Sequence, residues 1–345
     1  MKLPKLLTLC IFLIVYSSGN SEAIKSLNME GIDIIGSTKE AYQRPIKIVI
    51  AHRGASGYLP QHTLEAYTLA YGQGADYIEP DLNMTKEGTL VCVHNIYLES
   101  TTDVEEKFPG KKSIDGHYYV KDFTLKEIKT LSATIYRNED GSYRFPDRFN
   151  SDYKFLHVPT FEEMIMLVKG LNNSTGRNVG IYAEIKNPAW HKRNGLNIEK
   201  ATLEILNKYG YFDSKDKVFI QSFDPDPLKI LKFELKTKLP LIQLIGSEDT
   251  FKPLLTEEGL DEIRTYAAGI GTDKNLILKN PSIVEQAHKK NLLVHPWTFA
   301  KETVSNDYNS FEEELYSFYH TYNVDGLFVE QPDIARGVLH EWILK

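Results

Sequence analysis

The sequence predicts an α/β fold, a TIM (β/α)8 barrel carrying a small inserted cap. Three observations predict it. From about residue 45 short apolar runs alternate with amphipathic, helix-like stretches, the pattern of a parallel sheet with crossover helices. One pair of apolar runs is separated only by a tight turn. One long segment, residues 97–157, breaks the alternation. A length of 345 residues suits one such barrel with an insertion, or two average domains.

At the N-terminus Lys2 and Lys5 precede the apolar run Leu6–Tyr16, and the small, polar stretch Ser17–Ala23 follows. This is the order of a secretory signal peptide, residues 1–23, with Ser21-x-Ala23 as the cleavage site. The run is too short for a membrane span of about 20 residues. An exported protein, periplasmic or secreted, is therefore expected. Cys10 lies inside the apolar run rather than at its small-residue end, so lipid attachment there is not expected. Removing the peptide leaves only Cys92, which cannot form a disulfide within the chain and reads as a buried packing residue. Residues 24–44 are a polar lead-in, and 45–345 form the barrel.

The predicted strands are Ile46–His52, Asp76–Met84, Leu90–His94, Gly180–Lys186, Val218–Phe223, Leu241–Ile245, Ala267–Thr272, Leu292–Thr298 and Asp325–Glu330. Predicted helices include Thr63–Gln73, Phe161–Lys169, Ile198–Tyr209, Asp226–Leu235 and Ser282–Lys290. Nine strands are one too many for the barrel. The second and third are too close for a crossover helix, and Lys86-Glu87-Gly88 between them is a turn signal. Residues 76–94 therefore read as a hairpin that sets His94 opposite Glu79 or Asp81. Residues 97–157, charged and aromatic with one helical piece at Thr124–Leu131, read as a cap over the barrel mouth.

The chain has 42% hydrophobic and 25% charged residues and a formal net charge of −7, without a Lys/Arg block after the N-terminal segment. Nucleic acid is a poor partner for such a surface. No exposed amphipathic helix suggests stable membrane insertion. Composition sets no oligomeric state.

Seven chemically active residues fall at predicted strand ends, the face of a TIM barrel where reactions occur. His52 and Arg53 end the first strand in IVIAHRGASGYLPQHT. An imidazole for proton transfer beside a guanidinium for a planar anion suits phosphate chemistry. Glu79 and Asp81, two apart on one strand, point to one face, while Ile78, Pro80 and Leu82 make the other face apolar. His94 ends LVCVH. Glu184 and Lys186 end GIYAEIK, on one face of a buried strand. Three carboxylates suit a hard divalent cation, Ca²⁺ or Mg²⁺, and Lys186 adds charge for a phosphate. Trp297, in His295-Pro296-Trp297, either walls a substrate pocket or closes the barrel. No zinc pattern, phosphate-cradling glycine loop, nucleophile elbow or dinucleotide fingerprint competes.

The set resembles the glycerophosphodiester phosphodiesterases, in His52-Arg53-Gly54, Glu79-x-Asp81 and His94 after a turn. Similarity to their bacterial periplasmic type runs through most of residues 46–336. It includes AHRGASGYLP, TDVEEKFP, LNNSTGRNVGIYAEIK, the spacing to QSFD and the final DGLF. The resemblance implies a TIM barrel with a small insertion and a Ca²⁺-dependent site. The implied reaction is hydrolysis of deacylated phospholipid head-group diesters to sn-glycerol 3-phosphate and an alcohol. It implies His52 and His94 as catalytic histidines, Arg53 and Lys186 as phosphate contacts, and Glu79, Asp81 and Glu184 as metal ligands.

Four positions depart from the family's pattern. Asn95 replaces an Asp after the second histidine, Ser100 replaces an Arg with Glu99 beside it in place of an Asp, Gln61 replaces a Glu, and Val329-Glu330 replaces Thr-Asp. These departures favour a rival reading, an exported barrel with little or no activity that binds a partner. A lyase acting on intact lipid is the other rival. Asn83, Asn172 and Asn173 begin glycosylation sequons, which matter only in a eukaryotic source.

Overall fold

A computed structural model of the chain describes residues 47–149 and 154–343. The predicted signal peptide, Cys10 within it, and the lead-in up to residue 44 lie outside the described residues. Ten strands form one sheet: β1 Ile48–His52, β2 Tyr77–Glu79, β3 Asp81–Met84, β4 Leu90–Cys92, β5 Gly180–Ile185, β6 Val218–Ser222, β7 Leu241–Ile245, β8 Gly269–Thr272, β9 Leu293–Val294 and β10 Gly326–Val329. In the order β10-β1-β2-β5-β6-β7-β8-β9 every neighbour pair is parallel. The two ends meet through the Phe299–Val329 bridge and a 3.1 Å hydrogen bond from Phe328 N to Pro296 O. The result is a nearly closed barrel of eight parallel staves.

The predicted strand 76–84 is two strands, because Pro80 has no N–H and separates β2 from β3. The predicted hairpin is present. β3 and β4 run antiparallel with Leu82 opposite Cys92, and Gly88 closes the turn at φ 83° with its N–H on Thr85 O. This register corrects one expectation: His94 falls level with Pro80, between Glu79 and Asp81 rather than opposite either. The last strands are also shorter than predicted, since β9 stops at Val294 and Trp297 keeps only an isolated bridge to Asp273.

Alternation along each stave divides the core. Ile50, Tyr77, Tyr182, Phe219, Ile242 and Phe328 pack inside the barrel. Val49, Ile78, Ile181, Ala183, Ile220 and Leu327 point outward into the larger layer beneath the helices. Gly180 is required within this interior, because a Cβ there would lie 2.4 Å from the Tyr77 ring. Helices occur at the predicted places. Thr63 caps Leu64–Gly72, Thr160 and Glu163 form a capping box for Phe161–Thr175, and Ile198–Lys208 and Ser282–Lys289 follow. The helix predicted at Asp226–Leu235 is α-helical at Pro225–Lys229 and continues to Glu234 in wider turns.

Between β4 and the Phe161 helix the chain builds a second, smaller core. Leu98, Val104, Tyr118, Val120, Phe123, Ile128 and Leu131 pack on Val91, Val93 and Val158. Two short helices, Val104–Lys107 and Leu125–Ile128, lie in it. Cys92 is a buried free thiol. Among the described residues no helix is long and apolar enough to cross a membrane.

Candidate active site

The period of two that fills the barrel with apolar side chains also sets its mouth. Above Ile50 comes His52, above Tyr77 comes Glu79, above Tyr182 comes Glu184, above Phe219 comes Gln221, and above Phe328 comes Glu330. Each lies near the carboxyl end of its strand, where the parallel strands leave unpaired polar groups and loops. His52, Arg53, His94, Glu184, Lys186 and Trp297 line one cavity of about 630 Å³, with Glu79 and Asp81 buried beneath.

Glu79, Asp81 and Glu184 converge, with one oxygen of each within 4.8 Å of the others. Glu79 Oε2 accepts the Arg53 backbone N–H at 2.7 Å. Asp81 Oδ2 takes His62 Nε2 at 2.8 Å and an ion pair to Arg53 Nε at 3.2 Å. Asp81 Oδ1 is buried and accepts no hydrogen bond, with Lys186 Nζ 3.9 Å away. That unused acceptor, among three carboxylates and no nitrogen or sulfur ligand, fits a hard divalent cation. The protonation states divide accordingly. Burial pushes Glu79 well above the usual carboxylate range, aided by Asp81 and Glu184. Burial, offset in part by Lys186 and reinforced by Asp81, puts Glu184 at about 8. Burial also works against ionised Asp81, yet Lys186, Arg53 and the hydrogen bond from His62 outweigh it and hold Asp81 well below its ordinary value.

Both histidines turn one nitrogen toward the protein. His52 Nδ1 lies 3.1 Å from Glu330 Oε1, and His94 Nδ1 lies 2.7 Å from Asn95 Oδ1. Burial lowers His52 to about 4, with Arg53 lowering it further. Burial lowers His94 as well, helped by Arg53 and Lys186. Burial thus favours the neutral form of both rings, with the proton on the Nδ1 that faces an oxygen acceptor and Nε2 left to take a second one. Arg53 adopts φ 59°, which turns its backbone N–H onto Glu79 and leaves its side chain across Asp81 and Gln61. Lys186 Nζ lies 2.7 Å from Glu184 Oε1. Trp297 edges onto Phe223 at 5.4 Å, and its Nε1–H donates to Gly271 O.

The four unusual positions have partners here. Gln61 Oε1 accepts Arg53 Nη1 at 2.8 Å, as a carboxylate would, without a charge. Asn95 joins His94 to the Ser100 hydroxyl, 3.0 Å from its Nδ2. Glu99 turns away to His117. Glu330 is the His52 partner.

Sequence reasoning does not reach His62, Arg144, Phe145 or Arg148. His62 had a signal, a histidine immediately before the cap residue Thr63 in the loop that follows Arg53. The other three come from the segment outside the barrel pattern, where no period assigns a direction to a side chain. Arg144 and Phe145 line the cavity, and Arg148 ion-pairs with Glu330.

The sequence model of the Glycerophosphoryl diester phosphodiesterase family matches residues 52–334. The chain is 37% identical over 324 residues to a glycerophosphodiester phosphodiesterase of Haemophilus influenzae, covering 83% of this chain and 88% of that protein. A solved structure from Silicibacter pomeroyi DSS-3 shares the fold at TM-score 0.68 and 23% identity, covering 86% of this chain and 94% of the other. An Oleispira antarctica phosphodiesterase, solved in complex with the product sn-glycerol-3-phosphate, shares it at TM-score 0.62 and 19% identity, covering 86% and 97%. The chain belongs to the glycerophosphoryl diester phosphodiesterase family.

Proposed function

We propose that this chain hydrolyses small glycerophosphodiesters to sn-glycerol 3-phosphate and an alcohol, with Ca²⁺ held by Glu79, Asp81 and Glu184 and with His52 and His94 moving the protons. The observation that carries the reading is the convergence of three carboxylates, two imidazoles, Arg53 and Lys186 at the barrel mouth. The H. influenzae relative bears the name of this activity, and the O. antarctica neighbour holds sn-glycerol-3-phosphate.

A bound cation would supply positive charge where the phosphate oxygens become more negative. Arg53 and Lys186 flank the phosphodiester and neutralise its remaining oxygens. One imidazole takes, at Nε2, the proton of the attacking water, or of the glycerol hydroxyl next to the phosphate, in which case a cyclic phosphate forms that water then opens. The other, in its imidazolium form with a proton on each nitrogen, gives the Nε2 proton to the alkoxide as the bond between phosphorus and the head-group oxygen breaks. Glu330 and Asn95 hold the two rings by Nδ1 for this exchange. Trp297 and Phe223 supply an apolar wall for the carbon skeleton of the substrate. The proposal includes export, with residues 1–23 as the cleaved signal peptide, on the strength of the Lys2/Lys5, Leu6–Tyr16 and Ser21-x-Ala23 order.

The test is release of glycerol 3-phosphate from glycerophosphocholine by the mature chain, with added Ca²⁺ and with chelator. Turnover that chelator removes and Ca²⁺ restores is expected. Folded protein that turns over no head group with either Ca²⁺ or Mg²⁺ would overturn the reading.

A further inference from the structure

The segment that interrupts the barrel pattern returns to the mouth at Arg148, beside Glu330. The two oxygens of Glu330 are divided between the barrel and this segment. Oε1 meets His52 Nδ1 at 3.1 Å in a hydrogen bond, and Oε2 forms an ion pair with Arg148 Nη1 at 2.6 Å without hydrogen-bond geometry. The rest of the guanidinium is also engaged. Nε and Nη2 fork the Glu302 carboxylate at 2.9 and 2.6 Å, and Nη1 donates to Ser56 O at 3.2 Å. The Phe145 ring lies 4.0 Å from the guanidinium carbon, and the arginine side chain is only 9% exposed.

We infer that Arg148 is a positioning residue for the reaction, acting through Glu330 on His52. The inference rests on the role proposed for His52. Glu330 is largely enclosed at the barrel mouth, its side chain 13% exposed, and pairing with His52 and Arg148 favours its ionised form there. Arg148 supplies a counter-ion for Oε2, which draws that oxygen toward the segment and leaves Oε1 for His52. Oε1 in turn sets the tautomer and aim of the His52 ring, as a carboxylate does for a catalytic histidine. A planar, forked cation can bridge Glu330 and Glu302 together; a point charge on a flexible stem cannot do so equally well. The segment outside the barrel thereby reaches the proton-transfer machinery through Arg148, beside the cavity wall it builds with Arg144 and Phe145.

The experiment compares kcat and KM on glycerophosphocholine for the full mature chain and four variants: Arg148→Ala, Arg148→Lys, Glu330→Gln and the Arg148→Ala/Glu330→Gln double. Arg148→Ala is expected to lower kcat roughly 10- to 100-fold, the range seen when the partner of a working histidine is lost. KM should stay within about twofold, because the lost interaction aims a ring rather than binding substrate. Arg148→Lys should recover part of kcat, and the double variant should be no worse than the poorer single one. An unchanged kcat in Arg148→Ala, or losses that multiply in the double variant, overturns the inference. Should Arg148→Ala fail to fold, Arg148→Lys against Arg148→Gln decides, and equal kcat values overturn it. His52→Ala separates the two levels. An active His52→Ala overturns the role of His52 and this inference with it. An inactive His52→Ala beside a fully active Arg148→Ala overturns the inference alone.

Discussion

His62 Nε2 lies 2.8 Å from Asp81 Oδ2, while its Nδ1 meets the Tyr67 hydroxyl at 2.9 Å. The imidazole therefore engages one oxygen of a carboxylate that converges with Glu79 and Glu184, and leaves Oδ1 without a hydrogen bond. A buried partner of this kind orients a metal ligand without touching the ion. His62→Ala should weaken Ca²⁺ binding roughly 10- to 100-fold. Calorimetric titration of the purified chain checks this, and an unchanged dissociation constant would remove His62 from the site.

Cation affinity should depend on pH in a stated direction. Without a cation Glu184 holds its proton up to about 8, against an ordinary value of 4.5, because it is buried. Between those values the folded chain keeps a proton that the unfolded chain has released. On this group's account stability falls as pH rises from about 4.5 to about 8, and levels off above. A cation must displace that proton, and the raised Glu79 works in the same sense. The rise in melting temperature produced by saturating Ca²⁺ should thus be larger at alkaline pH than at mildly acidic pH. A rise that is flat across this range, or larger in acid, contradicts the assignment.

Replacing either cavity imidazole tests the proton-transfer roles. His52→Ala and His94→Ala should each lower kcat by at least about 10²-fold, the lower bound for a lost acid or base. Thermal unfolding should hardly move, since each ring makes one side-chain hydrogen bond at the cavity wall. Normal turnover in either variant would end that residue's claim.

The turn after β1 should be intolerant of a methyl group. Gly54 adopts φ 84°, and a Cβ there would lie 2.8 Å from the Ala66 carbonyl carbon. Gly54→Ala should cost about 1–3 kcal/mol, with lost activity as Arg53 and its hold on Glu79 shift. Gly72, at the end of the Leu64–Gly72 helix, has open space around it, so Gly72→Ala should be neutral or slightly stabilising. Equal melting temperatures for the two variants would refute this contrast.

The sequence by itself determined the barrel and the direction of most of its mouth. A strand has a period of two, so an apolar interior at Ile50, Tyr77, Tyr182 and Phe328 requires His52, Glu79, Glu184 and Glu330 to stand above it on the same face. The turn at Lys86–Gly88 was legible for a similar local reason, since glycine takes the positive φ it needs. The register across that hairpin was not legible. Only pairing of Leu82 with Cys92 decides that His94 lies between Glu79 and Asp81. Tertiary structure alone also decided what supports each reacting group. His62 reaches Asp81 because a left-handed turn at φ 57° brings it back under β3, and Arg148 reaches Glu330 from 182 positions earlier in the chain. Contacts of this kind depend on where two separate elements meet in space, and no periodicity along one of them records that meeting.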